Sequence, residues 1–143
     1  MLIFVCRGFD NKIAKQKACE SYQNITGSPL NLDYDKLGKP TADGLGVSIA
    51  HTDGVFLMAV SHSDVGIDIE RKDRKISSRL GTIDEWTEME AYAKYLGTGI
   101  TKDLLGKVVD RSMVHKVDVG TEYIVSVYSS DGDIKLHEIG SYI

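Results

Sequence analysis

The sequence has few cysteines, few prolines and no excess of positive charge, and each shortage excludes a class of protein. Its two cysteines, Cys6 and Cys19, are too few for a disulfide framework, and neither belongs to a CxxC pair or lies beside a histidine at metal-ligand spacing. Two prolines among 143 residues, 42% of them hydrophobic, exclude a low-complexity or disordered chain. A formal net charge of −4 gives no general attraction to nucleic acid or to an anionic membrane. We therefore expect a globular protein with reduced thiols that binds neither.

Long hydrophobic runs are also missing. The run at residues 2–6 ends at Arg7 without a small-residue cleavage site, and the run at residues 55–60 is far below the ~20 residues that a membrane-spanning helix needs. The sequence therefore favours a cytoplasmic protein. Its length gives room for one domain with a core of its own, residues 1–143, and a second globular unit is not expected.

What is present is an alternation of strand and helix patterns, which predicts an α+β fold. One helix is predicted over residues 10–22, with Asp10 or Asn11 as its N-cap, and a second over residues 84–96, which Gly97 ends in the left-handed cap position. Strands are predicted at residues 2–6, 30–32, 47–51, 55–61, 65–70, 107–109, 114–119, 123–128 and 134–139.

Turn residues indicate how some of these strands connect. Residues 52–54 and 61–64 have good turn compositions, which favours an antiparallel meander of the three strands between residues 47 and 70. Residues 130–133, Ser-Asp-Gly-Asp, are typical of a hairpin turn between the last two strands. Residues 26–45 are rich in Gly, Pro, Asp and Asn and are predicted to be mostly loop.

Two carboxylates share one face of the strand predicted at residues 65–70. Side chains alternate along a strand, so Asp68 and Glu70 lie on one face with Gly66, while the apolar side chains lie on the other. Hard carboxylate oxygens suit Mg²⁺, which typically takes one or two carboxylates together with substrate phosphates. An acidic strand face that binds nothing explains the same two residues equally well.

The helix predicted at residues 84–96 adds a second polar stripe. Trp86, Glu90 and Lys94 follow one another at i, i+4 spacing along one side of the helix, next to an apolar face that contains Met89. Taken alone, Glu90 and Lys94 are best explained as a surface ion pair and Trp86 as a core residue.

Four short motifs, taken in order, resemble those of the Sfp-type phosphopantetheinyl transferases. They are Gly38-Lys39-Pro40, Ser48-Ile49-Ala50-His51-Thr52, Gly66-Ile67-Asp68-Ile69-Glu70 and Trp86-Thr87-Glu88-Met89-Glu90-Ala91-Tyr92-Ala93-Lys94-Tyr95-Leu96-Gly97. The resemblance covers residues 37–99, with a fainter similarity at residues 122–129. It implies a phosphopantetheinyl transferase-like fold of two similar halves, about residues 1–65 and 66–143, each with antiparallel strands packed on a helix.

The resemblance also implies an enzyme, a holo-[acyl-carrier-protein] synthase. Such an enzyme transfers the 4′-phosphopantetheine group of coenzyme A to a serine of an acyl or peptidyl carrier protein and releases 3′,5′-ADP. The resemblance places the ligands of a catalytic Mg²⁺ on Asp68, Glu70 and Glu90. Glu90 also takes the position of the general base, and Lys94 that of a catalytic lysine that meets the phosphoryl oxygens of coenzyme A.

Two further positions match residues with which the family holds the 3′-phosphate of coenzyme A. They are Lys39 and His51; without the resemblance, His51 is best explained as a partly buried strand histidine and Lys39 as an ordinary loop lysine. The chain departs from the family pattern at Met89, where the family usually has a lysine, and at Ala50, where it usually has a serine.

The departure at residue 89 leaves two hypotheses open. Either another basic residue reaches the phosphates, or the chain binds coenzyme A or a related nucleotide with little or no turnover. The basic candidates are Arg7, Lys12, Lys15 and Arg74. The basic run at residues 71–75 either steers an acidic carrier protein to the site or is a solvated loop. A third hypothesis is a small acidic interaction protein whose match to the motifs is accidental.

Overall fold

Strands and helices alternate along the chain in the computed structural model, which describes residues 1–105 and 107–140. The helices are α1 (Asn11–Thr26) and α2 (Ile83–Leu96), with short 3-10 turns at Ser78–Leu80 and Arg111–Met113. The strands are β1 (Leu2–Arg7), β2 (Asp33–Tyr34), β3 (Pro40–Ala42), β4 (Leu45–Thr52), β5 (Val55–Ser61), β6 (Gly66–Arg71), β7 (Val114–Val117), β8 (Tyr123–Tyr128) and β9 (Lys135–Ile139). The predicted α+β class is confirmed. Among the described residues, no helix is both long and apolar enough to cross a membrane.

The strands form two sheets that pack face to face. The large sheet has the order β2-β3-β4-β5-β1-β9, and the small sheet has the order β6-β8-β7. Neighbouring strands are antiparallel except β1 and β9, which run parallel. The main core lies between the sheets, where Val5 and Leu57 of the large sheet meet Ile67 and Val127 of the small one. This arrangement buries one face of each sheet.

Each sheet also carries a helix on its outer face. The alternation of side chains sends Phe4 to the opposite side of β1 from Val5, where it packs against Ala18 of α1. On the small sheet, Tyr128 points away from the main core and packs against Ala91 of α2. The layers therefore run α1, large sheet, small sheet, α2.

Both helices begin where local sequence signals predict, and α2 also ends at its predicted residue. Asp10 caps α1 by accepting a hydrogen bond from the backbone N–H of Ile13, although the helix continues to residue 26, beyond the predicted end. Thr82 and Glu85 form a capping box at the start of α2. Gly97 ends α2 in the left-handed conformation, with φ 76°, as predicted.

Two of the predicted strands are wrong. At residues 30–32, Leu30 is buried against the outer core of the large sheet without pairing, and the strands of this region are β2 and β3 instead. At residues 107–109, Val109 packs against α2 while Val108 is 92% exposed, so these apolar residues follow no strand. Apolar character alone does not distinguish a strand from a loop with one anchoring side chain.

The predicted strand connections are also wrong in two places. The chain does not form a three-stranded meander, because β5 already has β4 on one edge and β1 on the other, and β6 pairs with β8 in the small sheet. The hairpin expected at residues 130–133 is wrong because β9 leaves β8 and pairs with β1. The last strand therefore returns to the large sheet, across the expected division near residue 65.

Candidate functional site

The site is built where α2 lies directly on β6, and Gly66 makes this contact possible. A Cβ atom at Gly66 would overlap the carbonyl oxygen of Ala91 and the amide nitrogen of Tyr95, so only a glycine lets the helix approach this closely. The opposite face of β6 belongs to the core between the sheets. The prediction that Asp68 and Glu70 share a separate face with Gly66 therefore agrees with the packing, and that face is turned toward α2.

The close packing brings the three predicted carboxylates within electrostatic reach of one another. Asp68 is only 6% exposed, Glu70 is buried beside it, and Glu90 is half-buried on α2. Burial raises the pKa of Asp68 to about 7; Lys94 opposes that rise, and the charges of Glu70 and Glu90 add to it. Burial likewise raises the pKa of Glu90, against the effect of Lys94.

Two cations lie among these carboxylates. The Nζ of Lys94 donates to the Oδ1 of Asp68 at 3.3 Å and to the carbonyl oxygen of Ile49 at 3.2 Å, which ties α2 to β6 and β4. The guanidinium of Arg74 donates to the Oε1 of Glu70 at 2.6 Å. Lys94 therefore pairs with Asp68, and the surface pair expected between Glu90 and Lys94 does not form.

One oxygen of the cluster has no partner. The Oδ2 of Asp68 is buried and accepts no hydrogen bond among the described residues. A buried, unsatisfied polar atom costs about 1–3 kcal/mol, and a carboxylate oxygen is a hard donor of the kind that Mg²⁺ prefers. Within residues 1–105 and 107–140, no three histidine, cysteine, aspartate or glutamate side chains are arranged to hold a metal ion by themselves. The donors fit an ion held by one or two carboxylates and completed by substrate phosphates.

Lys39 does not reach the carboxylates but fastens the end of α2. Its Nζ donates to the carbonyl oxygens of Lys94 at 2.7 Å, Val65 at 3.1 Å and Val47 at 3.4 Å. These three bonds use all three N–H groups of the ammonium. Burial lowers the pKa of Lys39. Here the side chain joins α2 to β4 and to the start of β6, beside a pocket of about 210 Å³.

His51 lies on β4, the strand whose carbonyl groups at Val47 and Ile49 bind the other two predicted cations. It lies exposed near the end of β4, opposite Phe56 of β5. Among the described residues no hydrogen bond joins it to Lys39, Lys94 or the carboxylates, and its role on the 3′-phosphate stays a prediction.

Met89 faces away from the carboxylates. It is 9% exposed and packs with Leu104, Val109 and Tyr128, as its place on the apolar face predicts. It also lines a cavity of about 920 Å³, whose walls come from residues 77–89, 105 and 107–111 and include none of the three carboxylates. A lysine at position 89 would carry its charge in among these apolar side chains rather than toward Asp68.

Of the basic residues considered as replacements for the family lysine, Arg74 lies at the carboxylates. Arg7 donates to the carbonyl oxygen of Val119 and pairs with Glu138, and Lys15 donates to the hydroxyl of Tyr34. Lys12 is exposed on the first turn of α1. The candidates therefore separate by position, and Arg74 alone of the four contacts a predicted ligand.

Two supporting features escaped the sequence patterns. The Oγ of Ser48 accepts a hydrogen bond from the backbone N–H of Ile67 at 3.0 Å, which joins the two sheets beside the site. Glu88, buried on α2, pairs with Arg111 and Lys116, and these bonds lower its pKa although burial alone would raise it. Helical spacing gave no sign that Glu88 is buried. A glycine inside a strand pattern, as at Gly66, does indicate that another backbone approaches closely.

Comparison with family models and with curated proteins adds no relative to this picture. No family model matches the chain, and no curated protein matches it. The relation to the phosphopantetheinyl transferases therefore remains a proposal.

Proposed function

We propose that this protein transfers the 4′-phosphopantetheine group of coenzyme A to a serine of an acyl or peptidyl carrier protein. The observation that carries the proposal is Asp68, a buried carboxylate with an unpartnered oxygen, surrounded by Glu70, Glu90 and Lys94. A buried cluster of carboxylates with an unpartnered oxygen costs folding free energy unless a bound cation compensates the charge. The order of the four motifs independently points to the same residues.

The side chains divide the work as the resemblance implies. The resemblance gives Mg²⁺ three carboxylate ligands, whereas the arrangement of the side chains fits Asp68 with one further carboxylate, Glu70 or Glu90. The ion, when bound, would neutralise charge on the pyrophosphate of coenzyme A. Glu90 accepts the proton of the carrier serine, directly or through a water. Lys94 uses two of its three N–H groups on Asp68 and Ile49, so one remains for a phosphoryl oxygen. The helix α2 thus positions both the base and a cation.

Two related halves are supported by the single helix on the outer face of each sheet. Against them, β9 of the second half pairs with β1 of the first, and the sheets have six and three strands. The carrier protein is the less supported partner. Arg71, in the basic run at residues 71–75, is paired with Asp53 and Asp73, which weakens the field of that run. Lys72 and Lys75 remain exposed and able to attract an acidic surface.

A carrier mass-shift assay tests the transfer. Incubation with coenzyme A, Mg²⁺ and an apo carrier should add the mass of phosphopantetheine to the carrier, and Asp68→Ala should abolish the addition. Asp73→Ala is the matched control, because Asp73 is an exposed carboxylate three residues beyond Glu70 that pairs with Arg71. Absence of transfer to several acyl and peptidyl carriers would contradict the proposal.

A second candidate is a protein that binds coenzyme A or a related nucleotide without turnover. It is favoured by Met89, which supplies no charge at the position where the family usually has a lysine. Calorimetry that detects Mg²⁺-dependent binding of coenzyme A, with no modification of any carrier, would select it. Failure to bind coenzyme A at millimolar Mg²⁺ would favour the third hypothesis, a small interaction protein.

A further inference from the structure

We propose that Arg74 is the cation that meets the substrate phosphates at this site, and that without ligand it occupies Glu70 and so competes with the metal ion. The inference rests on the proposed function for the identity of the substrate, but not for the contacts of Arg74. It assigns to Arg74 the task for which the resemblance expected a lysine at position 89.

A tight turn after β6 places Arg74 beside the cluster. The backbone N–H of Arg74 donates to the carbonyl oxygen of Arg71 at 3.1 Å, so the chain folds back as soon as the strand ends. The guanidinium consequently reaches the Oε1 of Glu70, four residues earlier, at 2.6 Å. The negative charges of Asp68 and Glu90 also attract this guanidinium, in addition to the stronger attraction by Glu70. Arg74 is therefore positioned by the backbone and not by chance extension of a long side chain.

The two partners of this ion pair differ in their freedom to move. The side chain of Glu70 is 11% exposed and fixed on β6, whereas that of Arg74 is 48% exposed on a surface turn. The guanidinium lies on the solvent side of this half-buried pair, so it can move into solvent when another cation takes its place on the carboxylate. Arg74 can therefore leave Glu70 without disturbing the fold, and Glu70 then becomes available to a metal ion.

The charges favour that exchange when a metal and a phosphate arrive together. When all three carboxylates are ionised, they face two cations, Lys94 and Arg74, and one negative charge is uncompensated. A divalent cation on the carboxylates releases Arg74 from Glu70. Its planar guanidinium then matches a phosphate, which it can bind through two parallel N–H groups.

The test is a pair of affinities that move in opposite directions. In Arg74→Ala, Mg²⁺ alone should bind about two- to fivefold more tightly by calorimetry, because Glu70 has lost its competitor. At Mg²⁺ concentrations that saturate both proteins, inorganic pyrophosphate should bind about tenfold more weakly to the variant. Lys75→Ala is the matched control, since it removes a positive charge from the neighbouring exposed residue and should shift neither affinity by as much.

A double-mutant cycle isolates the contact from the general field. In a Glu70→Gln background, Arg74→Ala should no longer tighten Mg²⁺ binding. Circular dichroism confirms that each variant is folded, and Arg74→Lys, which keeps the charge but lacks the planar fork, provides a second variant expected to fall between wild type and Arg74→Ala. Unchanged affinities, or a weaker affinity of Arg74→Ala for Mg²⁺, would overturn the inference.

The outcome is separable from that of the transferase assay, because neither probe requires turnover. Opposite shifts for Mg²⁺ and pyrophosphate with no modification of any carrier would keep the role of Arg74 and remove the transfer. Carrier modification with no effect of Arg74→Ala on either affinity would keep the transfer and remove the role of Arg74.

Discussion

Asp68 carries its charge in a place where folding disfavours it. An ordinary aspartate has a pKa near ~4, whereas burial raises the pKa of Asp68 to about 7 in the folded protein. The folded state therefore binds the proton more tightly than the unfolded state between these values. Stability falls as the pH rises from about 4 to 7, because the folded protein must then accommodate a buried charge.

Asp68→Asn should consequently stabilise the protein at pH 8 and change its stability less at pH 4. Asparagine resembles the protonated carboxyl, so we expect the free energy of unfolding to rise by about 1–3 kcal/mol at pH 8, measured by urea denaturation. Asp73→Asn, which alters an exposed carboxylate, is the control. A variant less stable than wild type at pH 8 would contradict this account.

Magnesium should relieve the same penalty in the wild-type protein. A metal that binds the folded state alone adds about 1.4 kcal/mol at ten times its dissociation constant. We expect thermal denaturation at pH 8 to shift upward with millimolar Mg²⁺, and to shift less in Asp68→Asn. Equal shifts in both proteins would place the ion elsewhere.

Met89→Lys should destabilise the protein rather than repair the departure from the family. Met89 is buried among apolar side chains, so a lysine would lose packing and place a charge among those apolar side chains. We expect a loss of about 1–3 kcal/mol in urea denaturation and no gain in transfer. Met89→Leu, of similar volume, should cost less than about 1.5 kcal/mol. A lysine variant that gains activity would show that residue 89 reaches the phosphates.

At the scale of elements, the contact between α2 and β6 is the one on which the site depends. A methyl group at Gly66 would overlap the backbone at Ala91 and Tyr95, and neither atom can move without the helix. Gly66→Ala should therefore cost about 1–3 kcal/mol or more and weaken Mg²⁺ binding, because Glu90 and Lys94 move away with α2. In Gly140→Ala the new methyl group meets open space, which makes it the control.

Local signals predicted the ends of elements but not their partners. Asp10 and Gly97 act through hydrogen bonds within one or two turns, so their roles can be read from adjacent residues. The pairing of β6 with β8, and of β9 with β1, joins residues far apart in sequence, and no periodicity specifies it. Turn composition favoured the nearest strand in both cases, and the edges of β5 were already taken.

The candidate site, too, was predicted where local patterns specify it and missed where distant residues meet. Strand alternation alone predicted that Asp68 and Glu70 share a face, whereas Glu90 joined them only through the resemblance. The contact that places α2 on this face is made by Gly66, which has no side chain and so no periodic signature. The ion pair of Arg74 depends on a turn after β6 that composition did not reveal.

At the scale of the whole molecule, the two sheets share one core and should unfold together. Leu57 of the large sheet is fully buried against residues of the small sheet, and β9 returns the chain from the small sheet to the large one. Trp86, the single tryptophan, lies on α2 and reports on the side of the small sheet. If the protein unfolds as one cooperative unit, a substitution in the large sheet must therefore shift the unfolding transition that Trp86 reports.

Leu57→Ala tests this cooperativity. The cavity it leaves between the sheets should cost about 2–5 kcal/mol. The urea midpoints followed by Trp86 fluorescence and by far-ultraviolet circular dichroism should fall together. Leu136→Ala, on the same sheet but 40% exposed, should move both midpoints far less. Two separated transitions, with Trp86 insensitive to Leu57→Ala, would mean that the sheets fold independently and that the junction at which Lys39 and Lys94 tie α2 to β4 opens on its own.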